Sequence, residues 1–227
     1  MTHSIITYDE QRVPPSPDAA APAAGKSFVP DVSPFAARAD KDPVEFIERE
    51  LALHQAAHDA AEALLTELGY TRVPLDPFDV AQRMGLAVEY RTLNGDDVRP
   101  GDEEWVAGIL EKLEGHPSAT LYIEARDDMG ALRFAAAHEI AHWRQYTQGK
   151  TASEIRQAEF YCLCEPNDQN TPDEYSADLF AHMLLLPQFL MLRELANGYS
   201  SATIAEHLGV SQRIVDARIR NIALTQL

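Results

Sequence analysis

Cysteine is nearly absent from this 227-residue chain: its two, Cys162 and Cys164, sit either side of Leu163 in "CLC", too close for an ordinary disulfide. A disulfide-stapled scaffold is excluded, and a reducing, cytoplasmic setting is expected. Basic residues are scarce as well, 19 against 36 acidic ones, for a formal charge of -17. Such a chain repels phosphate backbones, so direct nucleic-acid binding is not expected. No apolar run approaches the roughly 20 residues of a membrane-spanning helix. The opening "MTHSIITYDEQRV" also lacks the basic start and apolar core of a signal peptide, so neither a membrane partner nor export is expected. What the chain does have is 45% hydrophobic residues, enough for one sizeable core with appendages.

Residues 1–40 are rich in Pro and Ala, as in "VPPSPDAAAPAAGKS", and show no sustained apolar period, which predicts a disordered arm. A long helix is predicted from Asp42, with Pro43 at its first position and Gly69 as its stop. His54 and His58 stand four apart on it, but without a glutamate beside them or a nearby third ligand. They read as part of a solvated face. A short helix from Asp76 to Gly85 and a strand from Leu86 to Arg91 follow. "WVAGILEKL" and "ATLYIEA" then read as a strand hairpin. The segment around Cys162 reads as helix or loop, "CEPNDQNTPD" as a polar loop, and "EYSADLFAHMLLLP" as an apolar helix ended by Pro187.

The densest chemistry lies in "RFAAAHEIAHWRQY", Arg133 to Tyr146. His138 and His142 are four apart, so on a helix they project from one face and can offer two imidazole nitrogens to one ion, with Glu139 beside them. Asp127 or Asp128 can cap this helix, Gly149 can end it, and its alanines let other groups approach the backbone closely. A hydrolytic zinc site needs a third protein ligand and an open fourth position. Glu174 is a candidate, with Asp178 one turn later on the same face, where it can accept the N–H of a ligating imidazole. "TPDE" is also a capping box, in which Glu174 reaches back only to the backbone N–H of Thr171. The residues alone leave that choice open.

"RFAAAHEIAH" followed by "EYSADLFAHMLLLP" resembles the ImmA/IrrE family of metallo-endopeptidases, whose members show RF-x-x-AHE-x-x-H and a later E-x-x-A-(N/D)-x-FA-x-x-LL-x-P. Arg133, Phe134, Ala137, His138, Glu139 and His142 match the first block. Glu174, Ala177, Asp178, Phe180, Ala181, Leu184, Leu185 and Pro187 match the second. Weaker similarity extends back to about Ala60. The resemblance implies an α+β, zincin-like minimal metalloprotease domain at residues 41–195, with a small, mostly antiparallel sheet packed on the H-E-x-x-H helix. It implies Zn2+ bound by His138, His142 and Glu174, and Glu139 as the catalytic acid/base. Asp178 would act behind a ligand, although many relatives carry Asn there. It also implies a protein substrate, with transcriptional repressors as candidates. An extended peptide is expected to add as a strand along an exposed edge of the "WVAGIL" to "LYIEA" hairpin. His182, a further four-residue step along, is either an oxyanion donor or a packed histidine.

Residues 196–227 resemble a helix-turn-helix, with Ile204, Ala205, Leu208, Gly209 and Val210 spaced as a first helix and turn, and Ser211 able to cap the next. That offers a rival reading, a DNA- or protein-binding regulator that keeps the zinc site. From Phe189 onward the charged residues are Arg193, Arg213, Arg218 and Arg220 against Glu194, Glu206 and Asp216, a meagre excess for phosphate contacts.

Overall fold

A computed structural model describes residues 43–98, 105–164 and 172–224. The Pro/Ala-rich arm, the caps expected at Asp42 and Thr171, and the loop after Cys164 lie outside the described residues. Helix α1, Pro43–Glu67, begins on the predicted proline. It ends where Gly69 turns to φ +59 and the N–H groups of Gly69 and Tyr70 close back on the carbonyls of Thr66 and Leu65 at 3.1 and 2.8 Å. That C-terminal closure satisfies carbonyls a helix end otherwise leaves bare. Helix α2, Pro77–Arg83, is capped by Asp76, whose carboxylate accepts the Phe78 N–H at 3.0 Å.

Four short strands follow: β1 Ala87–Arg91, β2 Gly108–Lys112, β3 Thr120–Glu124 and β4 Phe160–Cys164. Their order across the sheet is β1-β3-β2-β4. The β2–β3 hairpin is antiparallel as expected, with Leu110 opposite Leu121, and β4 adds to β2 antiparallel, with Gly108 opposite Cys164. β1 pairs with β3 in parallel, so the sheet is mixed. Two expectations are corrected here. The segment around Cys162 is a strand, because its backbone groups complete the ladder that β2 otherwise leaves open. The hairpin therefore has no free edge for a peptide, since β1 covers β3 and β4 covers β2; among the described residues the edge strands are β1 and β4.

Helix α3, Met129–Thr147, carries the H-E-x-x-H pattern and lies on the sheet. Asp128 caps it, accepting from the N–H groups of Gly130 and Ala131 at 2.9 and 3.0 Å. Every residue from Ala135 to Trp143 is buried. That unbroken run means the helix is enclosed all round, by the sheet on one side and by helix α5, Pro172–Leu185, on the other. Helix α4, Ala152–Gln157, carries the chain into β4, with a capping box between Thr151 and Glu154. Lys112, buried in β2, spends its three ammonium hydrogens on the carbonyls of Leu113, Arg156 and Ala158, so this buried cation is satisfied.

Helix α6, Gln188–Ala196, and the pair α7, Ser201–Leu208, and α8, Gln212–Leu224, complete the chain. The core joins Ala61, Leu64 and Leu65 of α1, Leu110, Leu121 and Ile123 of the sheet, the alanines of α3, and Phe180 and Leu184 of α5. Each fully enclosed Leu or Ile contributes about 1.5–3 kcal/mol relative to exposure. The architecture is thus α+β: eight helices and one small sheet among the described residues. No single described helix is long and apolar enough to cross a membrane. A third expectation fails at His54, which is 2% exposed rather than solvated, because α5 packs on the α1 face that carries it.

Candidate metal centre

α3 and α5 bring the predicted residues together. One turn of helix separates His138 from His142, and their Nε2 atoms face each other at 2.9 Å. Glu174, in the first turn of α5, reaches both rings, with Oε2 3.0 Å from His138 Nε2 and Oε1 3.2 Å from His142 Nε2. The three ligand atoms lie within 4.8 Å of one another. Asp178, one turn further along α5, holds His138 from behind, with Oδ1 at 2.8 Å from Nδ1. If Nδ1 donates to that carboxylate, the Nε2 lone pair is left pointing at the cluster.

Glu139, the next position along the helix, lies against the sheet beside Gly108 and within electrostatic reach of His138 and Glu174. It is fully buried, and neither carboxylate oxygen has a hydrogen-bond partner. A Cβ built on Gly108 would lie 3.4 Å from Glu139 Cγ and 3.6 Å from Oε1. Gly108 is therefore a neighbour of Glu139 that the motif analysis passed over, at a distance where a Cβ would make ordinary van der Waals contact. An isolated glycine within the "VAGIL" strand was the available signal, because such a residue often marks a close approach. His182 is not among the converging ligand atoms. Its ring packs edge-on to Phe134 at 5.1 Å, which favours the packed reading over the oxyanion donor.

The electrostatics draw positive charge to one point. Burial alone pulls the His138 imidazole down, but hydrogen bonds to Asp178 and Glu174 and the nearby Glu139 charge outweigh it and lift the group to about 10. His142 moves down, through burial and then the neighbouring His138. Burial would raise Glu174, yet the two imidazoles hold it below the ordinary carboxylate value. Burial pushes Glu139 up to about 8, with His138 opposing and Glu174 adding. Two convergent imidazole nitrogens, a carboxylate able to use either oxygen, and an unpartnered carboxylate alongside are the donor set and the charge demand that a divalent cation meets. The N,N,O composition suits zinc.

Arg133, on the first turns of the same helix, ties its surroundings together: Nη2 donates to the carbonyl of Leu75 and, at 3.4 Å, to that of Leu208. This gives the arginine of the recognised block a structural role. Comparison with known proteins agrees with the geometry. No curated protein and no solved structure matches the chain. The family model described as the IrrE N-terminal-like domain, Peptidase_M78, matches residues 81–220, which span both α3 and α5. Since that match takes in well over half of the 227 residues, the chain belongs to the IrrE N-terminal-like peptidase family.

Proposed function

We propose that this protein is a zinc-dependent endopeptidase that hydrolyses a peptide bond within a partner protein, a transcriptional repressor being the first candidate. The observation that carries the reading is the convergence of His138, His142 and Glu174 with a buried, unpartnered Glu139 on the adjoining helix position. His138, His142 and Glu174 would hold a zinc ion, which when bound would supply Lewis acidity to a peptide carbonyl and to water near neutral pH. The remaining steps belong to the protein. Glu139 takes the proton of the attacking water and delivers it to the leaving amine nitrogen. Its elevated affinity for protons suits both halves of that task. Asp178 orients His138 through Nδ1.

The sheet edge open to an extended peptide on this side is β4, whose Cys164 lies opposite Gly108, the residue that passes over Glu139. A substrate strand pairing there would bind mainly through its backbone, consistent with cleavage inside a chain rather than at an end. The test is metal analysis together with cleavage. Wild type is expected to hold about one zinc per chain, and His138→Ala or Glu174→Ala to lose it. Glu139→Gln is expected to keep zinc and the partner while cleavage falls by orders of magnitude. Retention of zinc by both ligand variants, or equal cleavage of candidate repressors by wild type and Glu139→Gln in mass spectra, overturns the assignment.

A further inference from the structure

The two edges of the sheet differ in chemistry. β1 is blunted by charge: Glu89 and Arg91 are exposed and pair at 2.7 Å, and the Arg91 guanidinium lies 4.0 Å over the Tyr122 ring. Charges on an edge strand guard against unwanted pairing. β4, Phe160–Cys164, reads FYCLC, with no charge and no proline, and its register with β2 is unbroken. An apolar edge of this kind is an exposed pairing template unless another strand belongs there.

Alternation along β4 puts side chains on both faces of the sheet. Phe160 faces α3, where its ring lies 4.3 Å from that of Tyr146, which stacks on Trp143 at 5.7 Å. The Lys150 ammonium stands 3.3 Å over the Tyr146 ring. Trp143 and Tyr146 belong to the same helix as His138 and His142, so this ladder of rings is held in fixed relation to the candidate metal centre. Tyr161 lies on the other face, opposite Glu111, and is 58% exposed. Leu113, two positions past Glu111, is 51% exposed and continues that face. At the other end of β4, Cys164 stands opposite Gly108, the neighbour of Glu139. Cys164 and Phe160 are four residues apart, about 13 Å of strand.

We propose that this edge selects the substrate by its side chains: an extended, uncharged segment with two adjacent large apolar residues, at least one of them aromatic, three and four positions from the residue that faces Cys164. The first would lie beside Tyr161 and the second beside Phe160, since residues opposite each other across a ladder share a face, and aromatic pairs there are favoured. The inference rests on the endopeptidase reading and adds the class of sequence the enzyme takes. Full-length, zinc-loaded protein would be incubated with a random library of dodecapeptides, and cut sites and flanking residue frequencies read by mass spectrometry. Wild type is expected to show aromatic or large aliphatic residues enriched at two adjacent positions on one side of the cut. Tyr161→Thr, a strand-compatible change at an exposed site, is expected to erase the enrichment at one of them and to raise KM for an aromatic peptide roughly three- to tenfold. Tyr161→Phe should keep the enrichment, and zinc content should be the same in all three proteins. Cuts without positional preference, or a preference unchanged in Tyr161→Thr, overturn the proposal. So does a dimer in sedimentation that dissociates in Tyr161→Thr, which would seat a second copy on β4. If wild type cuts nothing, the endopeptidase reading falls by itself and anisotropy decides the subsite. A labelled dodecapeptide with a central Tyr-Phe must then bind more tightly than one with Ser-Thr, and Tyr161→Thr must remove the difference. Equal binding of the two peptides overturns the subsite as well.

Discussion

Asp178 is placed to matter to an ion that it would not touch. By accepting from Nδ1 it fixes the ring and tautomer of His138, and outer partners of this kind are worth about 10–100-fold in metal affinity. Asp178→Ala is therefore expected to weaken zinc binding by that factor in competition with a chromophoric chelator. Asp178→Asn, which keeps a carbonyl acceptor, should lose less. Indistinguishable affinities for wild type and Asp178→Ala would remove Asp178 from the site. At this scale helical spacing made the pairing of His138 with His142 beside Glu139, and of Glu174 with Asp178, legible in the sequence, whereas the choice of Glu174 as a partner of the imidazoles over a helix cap rested on the family resemblance. The burial of His54 was not legible. Its environment is set by α5 and α8, and no local period on α1 reports which face those later segments will cover.

Among the elements, the helices were legible because caps and stops such as Asp76, Asp128 and Gly69 act within a turn. β4 was not, since "FYCLC" gains its strand character from pairing with β2 some fifty residues earlier. The parallel β1–β3 pairing likewise depends on a crossover that no short window reveals. What closes that crossover is Glu124 at the end of β3. Its buried carboxylate accepts from the Leu93 and Asn94 backbone, the Asn94 amide and Arg126. Burial alone would raise this carboxyl, but Arg126, Asn94 and the backbone donors prevail and hold it at about 2, well below its ordinary 4.5. A depressed folded-state value means the stabilisation is complete above pH 4.5 and is lost as pH falls from there toward 2. Glu124→Gln is expected to cost about 1.5–3 kcal/mol at neutral pH, as for hydrogen bonds to a charged group. The gap in Tm from wild type should then shrink steadily below pH 4.5 in circular dichroism melts. A gap independent of pH would show that the network does not depend on the charge.

Taken whole, the molecule gives the C-terminal helices little with which to hold DNA. Of their few arginines, Arg218 is buried and Arg193 pairs with Glu194, which also meets His207. Arg213 and Arg220 are left against Glu206 and Asp216. These helices are instead fastened to helix α3. Arg133 reaches the last turn of α7, and the family match runs on to residue 220. The expectation of weak nucleic-acid binding and the expectation of a helix-turn-helix shape are compatible, since α7 also makes a packing contact with α3 through Arg133.

The seam between these parts is tightest at Gly130, where an added Cβ would fall 2.6 Å from the backbone nitrogen of Ser211 and 2.9 Å from the carbonyl carbon of Val210. In genetic terms, one methyl group at the start of α3 should act as a sensor for a turn eighty positions away. Gly130→Ala is expected to reduce activity in cells. Selection for its recovery should yield second-site suppressors at the α7–α8 turn around Val210 and Ser211, rather than at random across the core. Suppressors scattered without regard to that turn would show that the seam yields easily. Suppressors concentrated there would make the two ends of the domain a single unit of inheritance, able to change only together.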